Sequence, residues 1–186
     1  MSAVCQVPGL VAWRFDAEAV ESPREAAAEL LSGQICAPAV LRHHDDGRPY
    51  LVGDPRTASR SSSRGWLALG LATGRLGIDV EVVRPAPQAT ELARRWFPKA
   101  EQELLARAAA DQPDRATALF WHLWTRKEAL AKALQLPLPE ALELWVAGDE
   151  AKSGLSLWTW HLTDRSTDST AVLSCAANAA PALVRA

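Results

Sequence analysis

An α+β fold is expected for this chain of 186 residues, because helical periodicity is concentrated in the stretch 90–134 while short runs of strand character lie on either side of it. Strands and helices that segregate in this way do not predict a doubly wound parallel sheet, which needs them to alternate. Taken in order, Ser22-Pro23 supplies an N-cap and first turn for a short helix over 22–31. Residues 43–55 are rich in Asp, Gly and Pro and read as turns around a brief extended piece at 50–52. The apolar runs 66–72 and 76–83, separated by Thr73-Gly74, predict a β-hairpin that Pro85 and Pro87 end. Helices follow over 90–97, 98–109 and 113–134, the last stopped by Pro137 and Pro139. Candidate strands at 142–146, 155–162 and 170–176 close the chain.

Composition narrows the function classes. With 20 basic against 22 acidic side chains, a net charge of -2 and 48% hydrophobic residues, the chain reads as an ordinary globular protein of one domain or two small lobes. Near-neutrality gives no global nucleic-acid signal and leaves room only for a local basic pocket. No apolar run approaches the roughly 18 residues of a membrane span. The first twenty residues carry Arg14 and Asp16 where a secretory leader would be apolar, so a cytoplasmic protein is expected. Cys5, Cys36 and Cys175 fit neither a disulfide framework nor a zinc site and read as buried thiols. His43 and His44 read as solvated loop residues, and His122 and His161 have no partner at metal-ligand spacing. Trp145, Trp158 and Trp160 read as packing residues of the second half, and Arg94, Arg95 and Lys99 as an exposed basic surface.

Two stretches carry chemistry. In Gly77-Ile78-Asp79-Val80-Glu81, the two carboxylates are two residues apart in an apolar strand and so share a face. That pattern is either the polar outside of a half-exposed sheet or a pair neutralised by a hard cation such as Mg²⁺. On the long helix, Leu119, Leu123, Leu130 and Leu134 form one stripe, while Trp121, Trp124, Glu128 and Lys132 lie on roughly the opposite side. Glu128 and Lys132 are either an ordinary i,i+4 ion pair or members of a larger site. In the second case Glu128 completes an acidic cluster with Asp79 and Glu81, and Lys127 and Lys132 meet phosphate oxygens.

Together these residues resemble a known family. Gly77-Ile78-Asp79-Val80-Glu81, followed about forty-five residues later by Trp124-Thr125-Arg126-Lys127-Glu128-Ala129-Leu130-Ala131-Lys132, is similar to the paired signature of the 4'-phosphopantetheinyl transferases. The long segment before Gly77 resembles the two-lobed, surfactin-synthetase-activating type, which implies a pseudo-twofold arrangement of two similar α+β lobes. Each lobe would be a small antiparallel sheet packed on helices, with a shortened first lobe over 1–75 and a second over 76–186. The resemblance implies transfer of the phosphopantetheine arm of coenzyme A to a serine of an apo acyl, aryl or peptidyl carrier protein, with release of 3',5'-ADP. It implies a monomer that engages neither nucleic acid nor membrane. It assigns Mg²⁺ to Asp79, Glu81 and Glu128, and the pyrophosphate to Lys132 with Lys127. Glu128 is the candidate base, with Glu81 as its rival. Gly47-Arg48-Pro49 is similar to the family's nucleotide-end element, so Arg48 and Pro49 are expected there, with Arg24 as a further coenzyme A contact. Ser61-Ser62-Ser63 stands where the family usually has Ser-His-Ser, so Ser61 and Ser62 are expected at the 3'-phosphate, with Arg60 or Arg64 supplying the charge that Ser62 lacks. A non-enzymatic relative that binds a nucleotide or a protein partner, and a Mg²⁺-dependent pyrophosphate hydrolase, are the competing expectations.

Overall fold

A computed structural model describes residues 9–15, 28–29, 32, 40–148, 154–165 and 168–185. Its strands are β1 (Gly9–Phe15), β2 (Leu41–His43), β3 (Pro49–Leu51), β4 (Thr57–Ser63), β5 (Trp66–Ala72), β6 (Leu76–Val82), β7 (Ser156–Asp164), β8 (Ser169–Ala177) and β9 (Ala182–Arg185). Helices α1 (Ala89–Trp96), α2 (Lys99–Asp111), α3 (Pro113–Leu134) and α4 (Leu138–Leu142) lie between β6 and β7. The α+β class and the three long helices agree with the sequence. The helix expected over 22–31 falls outside the described residues except at 28 and 29, which are helical. Arg24, Cys5 and Cys36 also lie outside them.

The strands form a four-stranded sheet in the order β4-β5-β1-β9, a three-stranded sheet in the order β6-β8-β7, and the separate pair β2-β3. Pairing is antiparallel throughout except that β9 runs parallel to β1. The hairpin expected between 66–72 and 76–83 is corrected here: both strands form, but β5 pairs with β4 and β1 whereas β6 pairs with β8. Two apolar runs around a glycine turn look alike whether the strands pair or pass from one sheet to the next.

The three-stranded sheet is covered on both faces along β6 and β8, which is why most positions of those two strands are buried on either side. Ile78, Val80, Leu173 and Cys175 pack toward Trp13, Trp66 and Ala68 of the larger sheet. Val172, Ala176 and Leu157 pack toward Leu123, Ala129, Leu130 and Ala133 of α3. Burial pushes the Cys175 thiol up to about 12, so it stays a protonated packing group.

Helix α3 starts with proline in its first turn and ends at Gln135, whose φ of 58° places it in the left-handed region that terminates helices. The two-faced helix expected from sequence is corrected. Trp121 is buried along with Leu123 and Leu130, because the sheet, α2 and α4 all pack against α3. Residues 142–146, expected as a strand, instead finish α4 and form the loop beyond it.

Candidate active site

The site is built where α3 crosses β6. A Cβ placed on Gly77 would lie 1.9 Å from the Ala129 carbonyl oxygen and 2.5 Å from the Ala133 nitrogen, so only glycine admits the helix this close. Gly77, Asp79 and Glu81 share the face of β6 that meets α3. Close approach at Gly77 therefore brings the strand's carboxylates to Glu128 and Lys132. The small residues Ala129 and Ala133 are the helix's side of the same contact.

Asp79 is 2% exposed. Its Oδ1 accepts hydrogen bonds from Lys132 Nζ and Ser61 Oγ, both at 2.7 Å, and Lys132 also donates to the Ile78 carbonyl at 3.0 Å. Its Oδ2 is buried and has no hydrogen-bond partner. Burial holds the Asp79 carboxyl above its ordinary value, against the pull of Lys132 and Ser61. Glu81 accepts from Ser63 Oγ at 2.6 Å and from Arg84 at 3.1 Å. Glu128 is pushed up to about 7, first by burial and then by the negative charge of Asp79; Lys132 and a hydrogen bond with Trp124 act in the opposite direction.

The serines that hold these carboxylates come from the larger sheet. Edge strand β4 lies along edge strand β6, and its alternate hydroxyls reach across: Ser59 Oγ accepts from the Ile78 N–H at 3.0 Å, Ser61 donates to Asp79 and Ser63 to Glu81. Ser62, on the other face of the strand, is exposed and does not line the cleft described below. Ser63 was missed as a site residue. Its signal was in the sequence, since Ser59, Ser61 and Ser63 recur with a strand's period of two.

A cleft of about 820 Å³ opens beside Glu128 and Lys132, and Arg48, Pro49, Arg60 and Arg75 line it as well. The sequence placed Arg48, Pro49 and Lys132 together, and the structure does so. Arg60, rather than the exposed turn residue Arg64, brings charge to this cleft; Arg75 was not foreseen. Lys127 is corrected. It is fully buried, pairs with Glu101 at 2.7 Å and donates to the Leu144 carbonyl at 2.6 Å, so it faces α2 and the loop after α4 rather than a phosphate.

Hard oxygen ligands, an ammonium and several guanidinium groups around one cleft are the equipment of a protein that handles phosphate esters. Comparison with known proteins makes that class specific: the family model of the 4'-phosphopantetheinyl transferase superfamily matches residues 75–177. The chain belongs to this superfamily. It is 35% identical over 109 residues to the 4'-phosphopantetheinyl transferase AcpT of Salmonella typhi, covering 58% of this chain and 55% of that protein. The 4'-phosphopantetheinyl transferase Sfp of Bacillus subtilis is 34% identical over 98 residues, covering 50% and 41%. The 4'-phosphopantetheinyl transferase psf-1 of Bacillus pumilus is 31% identical over 148 residues, covering 78% and 54%. The chain thus spans about half the length of the curated relatives it matches.

Whether a divalent cation suits the site is testable on its donors. Among the described residues no three His, Cys, Asp or Glu side chains already stand as a metal-holding group. The buried Asp79 Oδ2 nevertheless lacks a partner, and burial together with neighbouring carboxylates raises both carboxyls, Glu81 acting on Asp79, and Asp79 and Glu81 on Glu128. A cation relieves the same excess of negative charge that protons otherwise relieve, so the donor set fits a hard ion such as Mg²⁺.

Proposed function

We propose that this protein transfers the 4'-phosphopantetheine arm of coenzyme A to a serine of an apo acyl, aryl or peptidyl carrier protein and releases 3',5'-ADP. The observation that carries the proposal is the single cleft in which Glu128 and Lys132 face Arg48, Arg60 and Arg75. It offers carboxylate, ammonium and guanidinium groups to one ligand with a pyrophosphate and a further phosphate. Superfamily membership and relatives named 4'-phosphopantetheinyl transferases support the same reading.

In this reading Asp79, Glu81 and Glu128 hold Mg²⁺, which when bound supplies charge stabilisation to the phosphoanhydride. Lys132 keeps Asp79 oriented and offers its one remaining donor to the pyrophosphate. Arg48, beside Pro49, and Arg60 and Arg75 take the nucleotide end as fixed positive charge. The serine hydroxyl oxygen bonds to the phosphorus of the arm, the anhydride P–O bond breaks, and 3',5'-ADP leaves with the bonding electrons. The serine proton goes to a carboxylate. Glu128 suits that role by position, because it lines the cleft beside Lys132 where the serine and the anhydride would meet. Glu81 already accepts from Ser63 and Arg84.

In this reading the two lobes are residues 1–75 and 76–186, except that β9 returns to pair with β1 in the sheet of the first lobe, and the protein acts as a monomer in the cytoplasm. Among the described residues no helix is long and apolar enough to cross a membrane. Intact mass of apo carrier proteins incubated with this protein, coenzyme A and Mg²⁺ tests the activity. A gain of one phosphopantetheine arm, lost with Glu128→Gln, is expected. Release of 3',5'-ADP without any carrier would point to hydrolysis instead, and binding of coenzyme A without either product to a non-enzymatic relative.

A further inference from the structure

The residues just before Glu128 have no place in the chemistry above, yet they are among the most buried polar groups described. Lys127 and Glu101 are fully buried, 2.7 Å apart, with the ammonium also 4.5 Å from the Phe97 ring centre. Lys127 donates to the Leu144 carbonyl at 2.6 Å, and Glu101 accepts from the Val146 N–H at 2.7 Å. Arg126, 5% exposed, donates to the Val146 and Gly148 carbonyls, both at 2.9 Å, and to Thr159 Oγ1 at 2.8 Å. Thr159 bonds Ser174 at 3.1 Å, and Ser174 bonds Thr125 of α3 at 2.8 Å. Ser174 is the residue of β8 paired with Asp79 of β6.

This network therefore runs from α2 through α3 to the strand beside Asp79, and it binds the backbone of the loop after α4 along the way. Stability alone does not account for it. Two fully desolvated charges are often replaced by apolar groups with no loss of folding free energy, because burying them costs about as much as their attraction returns. What directional bonds supply and apolar packing does not is a fixed rotation of the helix. Side-chain atoms sit roughly 5–6 Å from a helix axis, so a turn of roughly 10° moves a carboxylate by about 1 Å. Misplacement on that scale costs about a hundredfold in rate.

We propose that Glu101, Lys127 and Arg126 are positioning residues that lock the rotation of α3, so that Glu128 and Lys132 meet Asp79 in register for the transfer. The proposal rests on the role given to Glu128 in the preceding subsection. Gly77 fixes how close α3 comes to β6, and the latch on its other side fixes which residues face the strand.

The test compares Glu101→Gln, Lys127→Met and the double variant Glu101→Leu/Lys127→Met in the transfer assay, with thermal melting of each. Each single variant is expected to lower kcat by about tenfold or more while KM for coenzyme A stays within about twofold, as loss of positioning rather than of binding requires. The double variant is expected to melt near the wild-type temperature and to keep the lowered kcat. It also carries the test if a single variant does not fold. A double variant that recovers kcat together with its melting temperature would reduce the latch to a purely structural pair and overturn the proposal. So would a Lys127→Met effect confined to KM for coenzyme A and absent from Glu101→Gln, which would make Lys127 a phosphate contact. An inactive wild type would instead overturn the transferase reading.

Discussion

Helix α3 carries two lysine–carboxylate pairs of equal length and opposite use. Lys132 and Asp79 are 2.7 Å apart, and so are Lys127 and Glu101. The lysine side chain of the first pair is 34% exposed and lines the cleft, whereas both members of the second are 0% exposed. Five positions along the helix turn the side chain by about 140°, enough to move it from the cleft to the interior. Residue type and motif membership are therefore poor guides to role. An ammonium beside water and a ligand cavity can release one donor to a phosphate at little cost. A sealed ammonium has no such freedom, and burial lowers its pKa while Glu101 restores part of the loss.

Breaking the sealed pair is expected to have the largest effect on folding. Lys127→Met leaves Glu101 as a buried carboxylate without its cation, at a cost of about 3–5 kcal/mol, visible as a fall of roughly 10 °C in melting temperature. Breaking the open pair is expected to strike the reaction most, with some loss of stability as well because Asp79 is itself buried. Lys132→Met should lower the transfer rate by about 10²–10³-fold, measured as carrier modification over time. Gly77→Ala tests the contact on which the open pair depends. Its methyl would meet the Ala129 carbonyl, and loss of about 1–3 kcal/mol in chemical denaturation should accompany reduced transfer. Ser63→Ala is smaller: it removes one hydrogen bond to Glu81, and roughly 1 kcal/mol is expected at this partly exposed position.

Acidity distinguishes the open region further. Glu128 holds its proton to about pH 7 in the folded chain, against an ordinary value of 4.5. The folded state therefore binds more protons than the unfolded state between these values, and its stability falls as pH rises through that window. Without divalent cations, Glu128→Gln should melt above the wild type at pH 8 and lose that advantage near pH 4, as melting curves across pH would show. Added Mg²⁺ should narrow the difference at pH 8 by stabilising the wild type alone.

The same contrast explains how much was legible in the sequence. Asp79 with Glu81 and Glu128 with Lys132 stand in two short motifs whose local spacings could be read directly, while the meeting of the two motifs was an expectation that the family resemblance supplied. Strand and helix periodicity located α1, α2, α3, β7 and β8 within a few residues. Lys127 misled because its neighbour Glu101 lies on another helix, and no local pattern reports a partner that far along the chain. Residues 142–146 misled for a related reason. Their apolar pattern resembles a strand, yet the backbone groups of Leu144 and Val146 are taken by Lys127, Arg126 and Glu101 side chains, which leaves no ladder to join. Strand β4 is polar enough to pass for a loop, because its serines bond the carboxylates of β6 instead of entering an apolar core.

The distinction between the two pairs is measurable at the lysines themselves. In a ¹⁵N-labelled protein, the side-chain ammonium signals of Lys132 and Lys127 can be followed as coenzyme A and Mg²⁺ are added. A shift of the Lys132 signal that saturates with coenzyme A, with Lys127 unmoved, is the predicted result. A saturating shift at Lys127 with Lys132 unaffected would contradict the account, because it would place the substrate phosphates on the side of α3 that the structure seals.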